Sequence, residues 1–173
     1  MSQNDQRDAH LDAFIGMVDQ SHDVSYQLGL IVANFAVLEF LLVILGAAAL
    51  GEDDDRAQSQ VICGRVRNFS DRCQIVKDLV QMSAHVVENR ETLTSFVDEM
   101  FKLNAVRNLY VHGLWEGNMN GDAWVTPYVT TAGRKGQKRK VDPDELAHTV
   151  SDIRSLVGRV FRELQITTYP VSV

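Results

Sequence analysis

Residues 104–117 read NAVRNLYVHGLWEG and bring an arginine, an amide and an imidazole within six positions: Arg107, Asn108 and His112. Imidazole exchanges protons near neutral pH. A guanidinium presents a rigid fork of donors that matches a phosphate or carboxylate. An amide can orient either group or donate to the same anion. The set suits proton transfer beside a group that gains negative charge.

The same stretch reads as the end of a helix. Phe96, Met100 and Leu103 form one apolar stripe, and the next members of that stripe are Arg107 and Tyr110. A guanidinium therefore continues an apolar seam, where a lone charge is costly to bury. Asn108 and His112 are four apart and share a face. On a regular helix Arg107 lies about 140° round from His112, a gap its long arm or a loosened last turn could close. His112 sits at the negative end of the helix dipole, which favours the imidazolium. A histidine in a last turn followed by glycine is also a common helix ending. Arg107 could equally meet Glu39, the one acid of an apolar helix, as a structural ion pair. The residues alone leave both readings open.

The elements that must position this stretch are mostly helical. Residues 1–8 read as a loose tail, and Leu11, Phe14, Ile15 and Val18 mark an amphipathic helix over 9–20. After SHD at 21–23, a break or a cap, residues 24–50 are the most apolar part of the chain. Leu28–Leu50 is long enough to cross a bilayer. Glu39 at its midpoint, Asn34 nearby and acidic flanks without Lys or Arg argue instead for a helix buried on all sides, at the centre of a bundle or partly in an oligomer interface, with no membrane partner. GEDDDR at 51–56 lacks the spaced oxygens of a calcium loop and reads as a solvated connection. Helices are expected over 56–66, over 70–86 with Asn68 and Ser70 as capping candidates, and from 88–91 onward. In the second of these Ile75, Val76, Leu79, Val80 and Met82 supply the apolar face.

After Gly113 the period changes. LWEG, AWVTPYVTT and QKRKV read as two or three short strands, with NMNGD turning between the first two and Pro127 confining the middle one to an edge or bulge. Asp142 and Pro143 then open a helix over about 143–165, with Leu146, Val150, Ile153, Val157, Val160, Phe161 and Leu164 on one face. The expected fold is all-α: one helical-bundle domain over 9–173, with a β insertion at about 114–142 before the last helix.

The net charge of −6 hides an asymmetry. Five of the 17 basic residues, Arg134, Lys135, Lys138, Arg139 and Lys140, fall within seven positions, leaving 12 basic against 23 acidic residues elsewhere. That excludes a uniformly basic nucleic-acid binder and allows a local anion-binding loop or an exposed hairpin tip. Cys63 and Cys73 have no metal-ligand spacing and fit a reducing cytoplasm, and MSQNDQRD carries no secretory pattern. No HxxxH, CxxC or clustered-carboxylate motif calls for a metal, and nothing calls for a cofactor. Trp115, Trp124 and Tyr128 either stack bases or cover a core. His10, His22, His85 and His148 read as surface or capping residues.

The motif Arg107-Asn108-Leu109-Tyr110-Val111-His112, at the end of a late helix, resembles that of HEPN-superfamily ribonucleases. The early apolar helix with FAVLEFLLVILG and its acid Glu39, and the β insertion after HGLW, are similar to that family too. The resemblance covers most of residues 24–165. It implies a helical bundle acting as a homodimer, a metal-independent endoribonuclease of the toxin or defence kind, with RNA and an antitoxin protein as partners. On that likeness Arg107, Asn108 and His112 are catalytic, Glu39 and Tyr110 support them, and Arg134, Lys135, Lys138, Arg139 and Lys140 touch RNA.

Overall fold

A computed structural model describes residues 22–52, 56–118, 122–127 and 136–165. In chain order these form α1 His22–Leu50, α2 Ala57–Arg65, α3 Phe69–Met82, α4 Arg90–His112, β1 Leu114–Gly117, β2 Ala123–Thr126, β3 Arg139–Lys140 and α5 Pro143–Glu163. The protein is mainly α with one small antiparallel sheet. The helix expected over 9–20, like the tail before it, lies outside the described residues. The chain groups into two compact units, one of Asn34–Asn104 with Ser151–Val173, the other of Met1–Ala33 with Ala105–Val150.

The first unit is helical, and its core follows helical spacing. Phe35, Leu38, Leu41, Leu42 and Leu45 of α1 are fully buried, as are Val76 and Val80 of α3 and Ile153, Leu156 and Val160 of α5. Phe35 and Phe69 meet at 4.7 Å between ring centres. Ser59 donates to the Val43 carbonyl at 2.5 Å, and a Cβ on Gly46 would fall 2.6 Å from the Ser59 hydroxyl. Gly46 thus sets how closely α1 and α2 approach. Lys77 pairs with Asp98 at 2.7 Å, and Arg159 grips both oxygens of Glu99.

Two apolar faces differ in detail from expectation. In α3 the buried positions are Phe69, Cys73, Val76 and Val80, and Met82, where the helix ends, is 85% exposed. In α5 the stripe centres on Leu156 rather than its half-buried neighbour Val157. The expectation for α1 holds for its second half. Tyr26 and Val32 in its first half are exposed, and α1 is long and apolar enough to cross a membrane by length and composition.

The acidic connection after α1 does more than carry solvent. Gly51, at φ 68°, ends α1 with bonds from Gly51 N to Ala48 O and from Glu52 N to Ala47 O. Glu52 then turns its carboxylate onto the Gln58 and Ser59 amides at 2.7 and 3.0 Å, capping α2 at the positive end of its dipole. Asn68 caps α3 through the Ser70 amide at 2.9 Å, and Asp142 caps α5 through the Asp144 amide at 3.0 Å.

Cys63 and Cys73 are buried free thiols of this unit. Burial pushes both up, Cys73 to about 12. The thiolate is the reactive form. Ellman's reagent at pH 8 is expected to label neither in the native protein and both together once urea unfolds it. Rapid native labelling of either would contradict this packing.

In the second unit the strands follow the order β1-β2-β3, with Trp115 opposite Val125, Glu116 opposite Trp124, and Trp124 opposite Lys140. β2 is therefore the central strand. Pro127 lies just past its end, outside the ladder, so neither the edge position nor the bulge expected from that proline is needed. Opposed residues share a face. Trp115, Val125 and Arg139 occupy one side, where Val125 and Ala123 are buried; Leu114, Glu116, Trp124, Thr126 and Lys140 occupy the other. Asn118 and Asp122 close the first turn, exchanging bonds between Asn118 N and Asp122 O and between Asp122 N and Asn118 Oδ1.

Candidate functional site

The last turns of α4 carry the site. The helix stays regular through His112, and Arg107 closes the angular gap with its own length. A single nitrogen, Arg107 Nη1, lies 3.0 Å from Asn108 Oδ1 and 3.2 Å from His112 Nε2. A guanidinium only donates, so it fixes both neighbours. The Asn108 amide presents its oxygen to Arg107, and its NH2 group is left for another acceptor. For Arg107 to donate to His112 Nε2, that nitrogen must carry the ring's lone pair and the proton must sit on Nδ1. Asn108 and His112 are exposed and Arg107 is half-buried, so a ligand can reach all three.

Gly113 is required for a steric reason. Its φ lies outside the left-handed region, so the helix does not end in the glycine cap expected from HisGly. A Cβ there would fall well under 3.0 Å from the Leu109 carbonyl oxygen and from Val125 Cγ2. The bare backbone lets β2 lie against the end of α4.

The supporting residues sit elsewhere. Tyr110 is buried at 1% exposure, its ring 6.3 Å from Trp115, and its carbonyl accepts the Trp115 indole N–H at 2.9 Å. Burial, then the neighbouring Glu145 carboxylate, pushes its phenol up to about 12. Tyr110 thus anchors the sheet to the helix end. Glu39 pairs with Arg72 at 3.3 Å. Of the two readings left open for Arg107, the pairing with Glu39 is not the one seen for that acid, whose partner is the Arg72 guanidinium of α3.

Arg72 also donates to the Val66 and Arg67 carbonyls at 2.6 and 3.3 Å, pinning the connection between α2 and α3. Arg72→Ala is expected to lower stability by about 1–3 kcal/mol in urea unfolding, because two backbone acceptors lose their donor. Glu39→Gln removes only a part-exposed pair and is expected to lose under about 1 kcal/mol. Equal losses would place the weight on the ion pair instead.

Of the basic run, Arg134 and Lys135 lie outside the described residues. The other three cations each hold an acid of their own unit: Lys138 with Glu116 at 2.6 Å, Arg139 with Glu145, and Lys140 with Asp122 at 2.6 Å. Hydrogen bonds from Lys140 and Asn118 hold the Asp122 carboxyl below the ordinary carboxylate range. The tryptophans separate cleanly. Trp115 is tied to Tyr110, whereas Trp124 is half-buried on the opposite face, with the Lys138 ammonium 5.1 Å from its ring centre. Tyr128 lies outside the described residues. The role of Glu52 as a cap and the sorting of the two tryptophans both escaped the sequence reading; the tryptophans lie on different strands, and only the register, with Trp115 opposite Val125 and Glu116 opposite Trp124, puts them on opposite faces.

Comparison of the chain with family models, with curated proteins and with solved structures gives no match.

Proposed function

We propose that this protein is a metal-independent endoribonuclease of the HEPN type, a toxin or defence nuclease that cuts RNA at a composite site between two copies of the chain. The observation that carries the reading is the single guanidinium nitrogen bridging Asn108 and His112 at 3.0 and 3.2 Å on an accessible helix end. Neutral His112 takes the proton of a ribose 2′-OH at Nε2 while that oxygen attacks the adjacent phosphorus. The bond from phosphorus to O5′ breaks, leaving a 2′,3′-cyclic phosphate on one fragment. An imidazolium, supplied by the His112 of a second copy, returns a proton to O5′ and leaves a 5′-OH on the other. Arg107 turns from His112 to the phosphate oxygens and offsets their growing charge. Asn108 holds Arg107 and offers its NH2 to the same phosphate. An antitoxin protein is a candidate partner, and the proposed setting is the cytoplasm.

The test is incubation of purified protein with total cellular RNA in EDTA. The expected result is cleavage that EDTA does not slow, with 5′-OH and cyclic-phosphate ends and no cutting of DNA, which lacks the 2′-OH. RNA left intact throughout would sink the nuclease reading. One observation favours a second reading, a HEPN-like dimeric interaction or nucleotide-binding module without catalysis: each described cation of the basic run holds a carboxylate of its own unit. Intact RNA together with a stable dimer on gel filtration would support that module.

A further inference from the structure

The sheet presents an outward side whose composition is unusual for a solvated surface. Leu114 is 58% exposed on it, Trp124 is half-buried beside Glu116 and Thr126, and Lys138 and Lys140 reach over from the third segment. The buried side of the same sheet already holds Val125 and Ala123, so the outer residues are not needed for that core. Trp124 instead offers one face of its indole to a cation.

We propose that this outer face is a base-stacking platform for single-stranded RNA, with Trp124 as the stacking surface and Lys138 and Lys140 as phosphate contacts. The inference rests on the reading of the chain as an RNA-processing protein and names where the strand beside the cut site lies. An aromatic ring flanked by cations binds single strands with little regard to sequence, since every base has a π-face. A phosphate chain must displace the carboxylates these lysines hold, Glu116 from Lys138 and Asp122 from Lys140. Lys138 and Lys140 keep side-chain exposures of 46% and 64% in their ion pairs, and such exposed pairs exchange readily for the dense charge of a phosphate chain. A base sliding onto Trp124 takes the place of the Lys138 ammonium and releases it toward the neighbouring phosphate. Position fits as well: Glu116, which faces Trp124, is three residues along β1 from Gly113, about 10 Å, within reach of a nucleotide or two from a phosphate at His112.

The chain has two tryptophans, so Trp115→Phe leaves Trp124 as the sole indole reporter. The probe is a 2′-O-methyl decanucleotide, which has no 2′-OH to attack. Titrated into the Trp115→Phe protein, it is expected to quench the fluorescence, and an abasic strand of equal charge is expected to quench far less. Trp124→Ala is expected to weaken binding about 5- to 100-fold, with Trp124→Phe restoring most of it. Lys138→Gln is expected to flatten the salt dependence of binding by about one phosphate contact. Circular dichroism and thermal melts of each variant separate lost binding from lost fold, and the Trp124→Phe result stands even if alanine unfolds the sheet. Equal affinity for the abasic strand, or an unchanged affinity on replacing Trp124, overturns the platform. If RNA is cleaved and a folded Trp124 variant keeps its KM, the nuclease reading stands and the platform falls. If the probe quenches Trp124 yet unmodified RNA stays whole, the platform stands and the nuclease falls.

Discussion

Alanine at His112 is expected to lower RNA cleavage about 100- to 10,000-fold, the range for removing a general acid or base, while leaving the fold unchanged. The ring is exposed, and its bond in the structure is the 3.2 Å contact with Arg107. Surface changes of that kind alter stability by less than about 0.5 kcal/mol, so the melting temperature should move by no more than about 2 °C. Arg107→Ala should lose activity on the same scale, because Arg107 both fixes His112 and meets the phosphate in the proposed reaction. Arg107→Lys should not restore it. An ammonium is a compact point charge on a flexible stem and cannot present the rigid planar fork to a phosphate. Asn108→Ala should lose less, about tenfold, since it removes one acceptor from the arginine and leaves the proton carrier in place. Residues acting as one unit are not additive, so Arg107→Ala with His112→Ala should be little worse than either alone. A His112→Ala protein that cleaves at the wild-type rate would refute the proposed role.

How much of this was legible beforehand depends on the kind of signal. Helix positions came from period and caps: Asn68 and Asp142 cap the helices they were expected to open. Strand order was harder to read. Pro127 argued for an edge or a bulge, and only the register, with β3 pairing on the far side of β2, places that strand centrally. Charge partners were least legible. Glu39, the one acid in an apolar helix, suggested Arg107, but Arg72 of α3 takes it, and nothing local to either residue distinguishes two arginines at long sequence separation. The meeting of Arg107 and His112 was legible as a possibility, since their separation round the helix is fixed by the period and only the reach of the arginine was open. Steric demands leave almost no trace in composition. Gly113 reads like any helix-ending glycine, and the Val125 methyl that forbids a Cβ there lies 12 residues further on.

That methyl leads to the largest expected stability effect. Gly113→Ala should cost about 3 kcal/mol, at the upper end of overpacking substitutions, and lower the melting temperature by about 6–12 °C. The reason is the identity of the obstacle. A flexible side-chain tip could swing away, but the added Cβ would meet the Leu109 carbonyl oxygen, part of the helix backbone, and a methyl of fully buried Val125. Either α4 loses its last turn or β2 lifts from the helix end. The first route also displaces His112, so cleavage should fall although no side chain of the site has changed. Gly29→Ala is the matched control. Gly29 lies inside α1 with nothing within 4 Å of its would-be Cβ, so alanine there should be neutral or stabilise by up to about 1 kcal/mol through helix propensity. Val125→Ala tests which obstacle dominates. It removes the methyl and leaves the carbonyl, so the double variant with Gly113→Ala should lose less than the two single losses combined, yet remain less stable than Val125→Ala alone. Strict additivity would assign the whole strain to the Leu109 carbonyl, and a Gly113→Ala protein as stable as wild type would mean that β2 does not lie against the end of α4.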